Sequence, residues 1–194
     1  MQQKVAIIGT GNVGKALREG LVRTGHEVRA TGRSQVSETA AWADIIILAV
    51  PYAAIPDVSR EIQTVADGKT VVDVTNALTP DMQLALGFNT SGAEELQKTL
   101  PRARVVKAFN TVFAQHMSRG SVLGQQLSLF AAGDDAAARK VVLELGKAIG
   151  FDAIDAGPLK NARYLEPLGY FNIQLGYVLG NGPDTGFKLI RKEA

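Results

Sequence analysis

Three closely spaced glycines, in Gly9-Thr10-Gly11-Asn12-Val13-Gly14, are the residues of this chain best placed to do chemistry with a phosphorylated ligand. Each has a mechanical use. Gly9 allows a tight turn, Gly11 lets the backbone come close to a pyrophosphate, and Gly14 lets a helix lie tightly on a sheet. The free N–H groups at the start of that helix would face the ligand's negative charge. A glycine turn of purely structural use is the competing reading, and the flanking sequence weighs against it.

The elements that must position these glycines are present on both sides. Val5-Ala6-Ile7-Ile8 is an apolar strand leading in. Val13, Ala16, Leu17, Gly20 and Leu21 follow at the i, i+3, i+4, i+7, i+8 spacing of a helix with one buried face. Gly25 stops that helix and Glu27-Val28-Arg29-Ala30-Thr31 reads as a second strand. Strand, turn, helix and strand in this order form a dinucleotide fingerprint.

The end of the second strand selects the nicotinamide cofactor. An NAD site usually carries Asp or Glu there to bind the ribose 2'-hydroxyl. This chain has Thr31-Gly32-Arg33-Ser34. No carboxylate stands there to repel a 2'-phosphate, Arg33 can bind one through its planar fork, and Ser34 can add a hydrogen bond. The sequence therefore predicts NADP(H) rather than NAD.

Composition narrows the remaining chemistry. The chain has 194 residues, 46% hydrophobic and 21% charged, which suits an ordinary globule. A net charge of +2, with no basic run, gives no reason to expect a nucleic-acid partner. With no cysteine there are no disulfides, thiolate nucleophiles or cysteine metal sites. His26 and His116 are far apart and lack metal-ligand spacing, so both read as surface or loop residues and no metal is expected. The first strand begins by residue 4, leaving no room for a signal peptide, and a cytoplasmic protein is expected.

Further along, one omission shapes the sheet. Only Ser34 to Ala43 separate the second strand from the apolar strand 44–50, too few for the helix and third strand of a full dinucleotide-binding half. A short helix over 36–43 is expected, with the third strand missing and strand 44–50 on the other side of the first. Further strands are expected at 69–76, 104–109, 127–133 and 151–157, with helices starting near Ala53, Ser91 and Asp134. This alternation predicts an α/β, Rossmann-like, doubly wound and mainly parallel sheet over 1–157. Its carboxyl edge would carry Val50-Pro51, Thr75-Asn76 and Phe109-Asn110. Val50 and Pro51 could pack on the nicotinamide-ribose side or simply end their strand. The amides of Asn76 and Asn110 could bond a carboxamide or ribose, or merely satisfy the sheet edge. No lysine stands out as catalytic, since Lys15 lies on the first helix and Lys107 within its strand.

Residues 158–194 form a second unit, a helix over 159–179 interrupted at Pro167 and a tail. Its apolar residues are not confined to one stripe, so it must be buried on several sides. It is too short and too often interrupted by polar residues to cross a membrane, and no membrane partner is expected. The surfaces available to bury it are the sheet edge over the nicotinamide, the wall of an apolar substrate pocket and a second subunit, and a homodimer with this helix at or near the interface is expected.

The chain resembles the NADP-dependent oxidoreductases that use the deazaflavin coenzyme F420, and the related NADPH-binding domain of the STEAP metalloreductases. The resemblance rests on Gly9 to Lys15, Gly32-Arg33, Val50-Pro51, Val105-Val106-Lys107-Ala108-Phe109-Asn110-Thr111, Gly133-Asp134-Asp135, Asp155-Ala156-Gly157-Pro158-Leu159, Asn161-Ala162-Arg163 and Leu165-Glu166. It implies hydride transfer between NADPH and a small-molecule redox acceptor, coenzyme F420, FMN or FAD, by positioning, with no catalytic acid for the hydride itself. By the same resemblance Thr10, Gly11, Asn12 and Val13 would hold the pyrophosphate and Arg33 the 2'-phosphate. Val50, Asn76 and Ala114 would line the ribose and nicotinamide, and Leu168 would touch the acceptor ring. A noncatalytic NADPH-sensing module is the main alternative. Imine or hydroxy-acid reductases rank lower, since they usually add about a hundred helical residues and only about 37 follow Gly157.

Overall fold

Strand residues alternate between two apolar faces, and this alternation builds the molecule. The structure, a computed structural model, describes residues 2–192. Met1, Glu193 and Ala194, the outermost residues of the two expected units, lie outside the described residues. In chain order the first elements are β1 (Lys4–Ile8), α1 (Asn12–Arg23), β2 (Glu27–Thr31), α2 (Val36–Trp42), β3 (Ile45–Leu48) and α3 (Ile55–Ile62). Then come β4 (Thr70–Asp73), α4 (Gly92–Thr99), β5 (Arg104–Lys107), α5 (Ala114–Met117), β6 (Ser121–Val122) and β7 (Gln125–Gln126). The last are β8 (Ser128–Gly133), α6 (Ala136–Ile149), β9 (Asp152–Asp155) and α7 (Ala162–Ile173), which a π turn extends over Gln174–Val178.

Val5, Ile7, Ile45, Ile47, Val72 and Val106 face one way, into a core completed by α1 and α6. Their neighbours Ala6, Ile8, Ile46, Leu48, Val71 and Val105 face the other way, against α2, α3 and α4. A strand buried on both faces reads as a continuous apolar run, as Ile45–Leu48 does.

Seven strands form one sheet in the order β2-β1-β3-β4-β5-β8-β9. β3 pairs in parallel with β1 on the side away from β2, so the third strand of a full dinucleotide-binding half is missing, as the short 34–43 segment requires. The sheet is parallel from β2 to β5. β8 then pairs antiparallel with β5 at Val106↔Gly133 and Lys107↔Ala132, and β9 runs parallel to β8. Between β5 and β8 stand only the four-residue α5 and the β6–β7 hairpin, not the long crossover a parallel return needs.

The C-terminal segment departs from expectation in two ways. It opens as a 3-10 turn at Leu159–Asn161, and α7 then runs through Pro167 instead of breaking there. Leu165, Glu166, Gly169 and Asn172 are buried on both sides of the proline and hold the helix in place. One face is buried, while Tyr164, Phe171, Tyr177, Val178 and Leu179 are exposed in the single chain. The tail folds back along β8, with the Ser128 N–H donating to the Phe187 carbonyl at 2.9 Å.

Among the described residues no helix is long and apolar enough to cross a membrane.

Candidate active site

The glycine turn is shaped by the space each Cβ would need. Gly9 has φ +124°, and a Cβ there would lie 2.0 Å from the Ala49 carbonyl oxygen. A Cβ on Gly14 would lie 2.0 Å from the Gly9 carbonyl oxygen. Apart from its own chain neighbours, a Cβ on Gly11 would meet no atom of the described residues within 4 Å. Gly9 and Gly14 are thus required by the chain's own packing, whereas Gly11 keeps open a cradle beside the start of α1. That helix has no side-chain cap and no acid in its first turn, so its leading N–H groups remain available to an anion. These residues fit a dinucleotide diphosphate.

Thr10, Gly11, Gly32, Arg33, Val50 and Pro51 line one cleft of about 700 Å³. Asn12 and Val13 open α1 beside it. Arg33 is exposed at its margin and, among the described residues, has no carboxylate partner. Ser34 is exposed but does not line the cleft, and its carbonyl accepts from the Thr31 hydroxyl. The opposite wall is α3, which brings in Asp57 and Glu61, two carboxylates four residues apart that sequence reasoning did not select. Asp57 is paired with Arg60.

The other expected residues form a second group. Asn76 donates to the Asn110 carbonyl at 3.1 Å, and Asn110 returns a bond to Asn76 Oδ1 at 2.9 Å. Asn110 also donates to the Leu165 carbonyl at 2.8 Å, and its Oδ1 is buried with no partner among the described residues. Gly169 lies so close that a Cβ would stand 2.5 Å from Asn76 Oδ1. α7 therefore rests on this amide pair, with Leu168 half-buried beside it. Asn76 remains partly accessible, whereas Asn110 is 5% exposed. Ala114 is half-buried at the start of α5.

Phe109 does not join either group. It has φ +64°, which swings its ring off the sheet edge into the core, edge-on to Phe151 at 5.9 Å between centroids. His116 also departs from expectation. It is buried, and its Nε2 lies 3.0 Å from the Pro183 carbonyl beneath the tail.

Sequence reasoning missed a buried ionic cluster under the second group. Lys107 Nζ lies 2.7 Å from Asp73 Oδ2 and 2.9 Å from Glu166 Oε1, all three side chains closed to solvent. It also donates to the Thr75 carbonyl at 2.7 Å. Glu166 accepts from the N–H groups of Gly92 and Ala93 at 2.9 and 3.2 Å, so a carboxylate from α7 caps α4. Burial alone would push the Lys107 ammonium down, but the charges of Asp73 and Glu166 outweigh it and hold the group above the ordinary lysine range. Burial, then the charges of Glu166, Glu95 and Asp73, raise the nearby Tyr52 phenol. One signal was available. Asp73 and Lys107 each end a strand directly after two buried valines, and they are register partners.

A mainly parallel sheet whose first strand turns through glycines into an uncapped helix defines a Rossmann-type dinucleotide-binding domain. The sequence profile of the coenzyme F420-dependent NADP oxidoreductases matches residues 4–43 and 33–77. A crystal structure of a protein provisionally named an F420-dependent NADP-reductase, from Arthrobacter sp. FB24, superposes with a TM-score of 0.89 at 30% identity. The match covers 97% of this chain and 100% of that one. The F420-dependent NADP reductase of Methanocaldococcus jannaschii is 29% identical over 160 residues, 79% of this chain and 71% of that protein. Metalloreductase STEAP3 of Rattus norvegicus is 30% identical over 183 residues, 85% of this chain. The chain spans only 36% of the length of that metalloreductase, and 38% of its two STEAP2 relatives. The chain belongs to the family of coenzyme F420-dependent NADP oxidoreductases.

Proposed function

We propose that this protein binds NADPH across the glycine turn and moves a hydride between it and a deazaflavin or flavin acceptor. The observation that carries the reading is the cleft in which an open Gly11 cradle and an uncapped α1 stand beside Arg33, with no carboxylate at the end of β2. When bound, the nicotinamide supplies the hydride. The chain's own part is to hold and orient. The N–H groups of Asn12 and Val13, with Thr10 and Gly11, would hold the diphosphate, and Gly32, Arg33 and Ser34 the 2'-phosphate. Val50, Pro51, Asn76 and Ala114 would line the ribose and nicotinamide. Asn110 would act through Asn76, and Leu168 would face the acceptor. Phe109 drops out of this set because its ring is in the core.

A homodimer in the cytoplasm belongs to the same reading. The exposed residues Tyr164, Phe171 and Val178 recur along the outer face of the C-terminal helix, and a second copy would cover them.

The test mixes the purified protein with NADPH and, in turn, oxidised F420, FMN and FAD, following the nicotinamide absorbance. Consumption with one of these acceptors is expected and identifies the substrate. Binding without consumption would overturn the enzymatic reading in favour of a sensing module.

A further inference from the structure

Asp73, Lys107 and Glu166 are ionised side chains in a place closed to water, where apolar residues of similar volume are often as stable or more so. Their contribution is therefore better sought in geometry than in stability, and each of the three holds a different part of the site. Asp73 Oδ1 accepts from the Thr75 N–H at 2.9 Å while Lys107 Nζ donates to the Thr75 carbonyl, so both backbone groups before Asn76 are fixed. Glu166 lies on α7, one turn before Gly169, the residue pressed against the Asn76 amide.

We propose that Lys107 is a positioning residue. Its ammonium ties the turn that presents Asn76 to the turn of α7 that covers it, and so fixes the nicotinamide half of the site. This rests on the function proposed above. Asp73 and Glu166 are the two arms of the tie, one reaching the sheet edge and the other reaching α7 and the first turn of α4. The residues proposed to hold the diphosphate and 2'-phosphate follow β1 and β2 and open α1, outside the tie. Loosening it should leave NADPH bound but its nicotinamide badly enclosed.

The experiment uses the full chain with NADPH as probe and needs no acceptor. Glu166→Gln removes the charge and keeps one oxygen, which can still accept from the Ala93 N–H and the Lys107 ammonium, while its NH2 replaces the oxygen that faced the Gly92 N–H. Should it fail to fold, the triple variant Asp73→Asn/Lys107→Met/Glu166→Gln removes all three charges and leaves none uncompensated. For each, NADPH affinity, melting temperature and acrylamide quenching of the bound nicotinamide fluorescence are measured. Affinity should stay within about twofold of wild type, while quenching rises several-fold. Unchanged quenching in a folded variant would overturn the proposal, as would quenching that rises only in step with a several-fold loss of affinity. Hydrogen exchange on the wild type gives an independent reading. NADPH should protect amides of 165–172, and protection confined to the glycine turn would count against the tie. A wild-type protein that fails to bind NADPH at all removes the functional reading and this inference together.

Discussion

Gly9, Gly11 and Gly14 look interchangeable in the sequence and are not interchangeable in space. Gly9→Ala and Gly14→Ala each drive a methyl into a carbonyl oxygen, so each should lose at least about 3 kcal/mol of stability, read by denaturant unfolding. Gly11→Ala should keep stability within about 1 kcal/mol of wild type and yet lose NADPH affinity at least tenfold, on the order of 1.4 kcal/mol, because its methyl occupies the open cradle. Equal behaviour of the three variants would contradict this division. Arg33→Ala should cost about 1.5–3 kcal/mol of NADPH affinity, the range for hydrogen bonds to charged groups, with NADH little changed. Equal losses for both would remove the 2'-phosphate from Arg33. At this scale the glycine turn, and the place of Arg33 beside it in one cleft, were legible because their spacing follows from the strand and helix around them. Phe109 was not, because a single positive φ decides on which side of the edge its ring lies, and nothing local announces it.

Two elements, α4 and α7, are joined at their first turns by charge. Arg163 forks onto Glu94 with contacts of 2.7–3.1 Å, and Ser91 caps α4 by accepting from the Glu94 N–H at 3.2 Å. The Arg163 hydrogen bonds, against an opposing effect of burial and with help from Ser91, hold the Glu94 carboxyl below the usual carboxylate range. A depressed pKa gives stability that is complete above about pH 5 and lost as pH falls through the folded-state value. Glu94→Gln should therefore flatten the fall of melting temperature with acid, and an unchanged acid limb would contradict the pairing. Lys107→Met alone leaves two carboxylates buried without their cation and should cost about 3–5 kcal/mol, measured by urea unfolding. The strands of the seven-stranded sheet and most helices were legible from period and caps, including the Ser91 cap and the missing third strand, whereas the short β6–β7 hairpin was not. α7 was misread at Pro167 because sequence shows the lost N–H and not the tertiary contacts that compensate for it: Glu166 on its α4 and Lys107 partners, and Gly169 on Asn76.

Across the whole molecule, the sheet brings two separated groups to one edge. β1, β3, β4 and β5 are parallel neighbours, so the turns after them follow one another, from the glycine cleft to the Asn76–Asn110 pair. Sequence spacing placed these turns on that edge. It offered that edge as one surface for the C-terminal helix but did not show which residues of α7 would close the second group, since that depends on contacts between residues more than 70 positions apart, such as Gly92 with Glu166. The outer face of α7 carries a further expectation. Phe171, 51% exposed, should lie in a dimer contact, so light scattering should give a dimer for the wild type and a folded monomer for Phe171→Asp. A wild type that stays monomeric at all concentrations would contradict it. The measurement that bears most directly on the central claim is a crystal structure of this protein with NADPH. The diphosphate should lie on the N–H groups of Asn12 and Val13 beside Gly11, with the 2'-phosphate on Arg33. A nucleotide lodged elsewhere, or a cleft closed by the chain's own side chains, would contradict it.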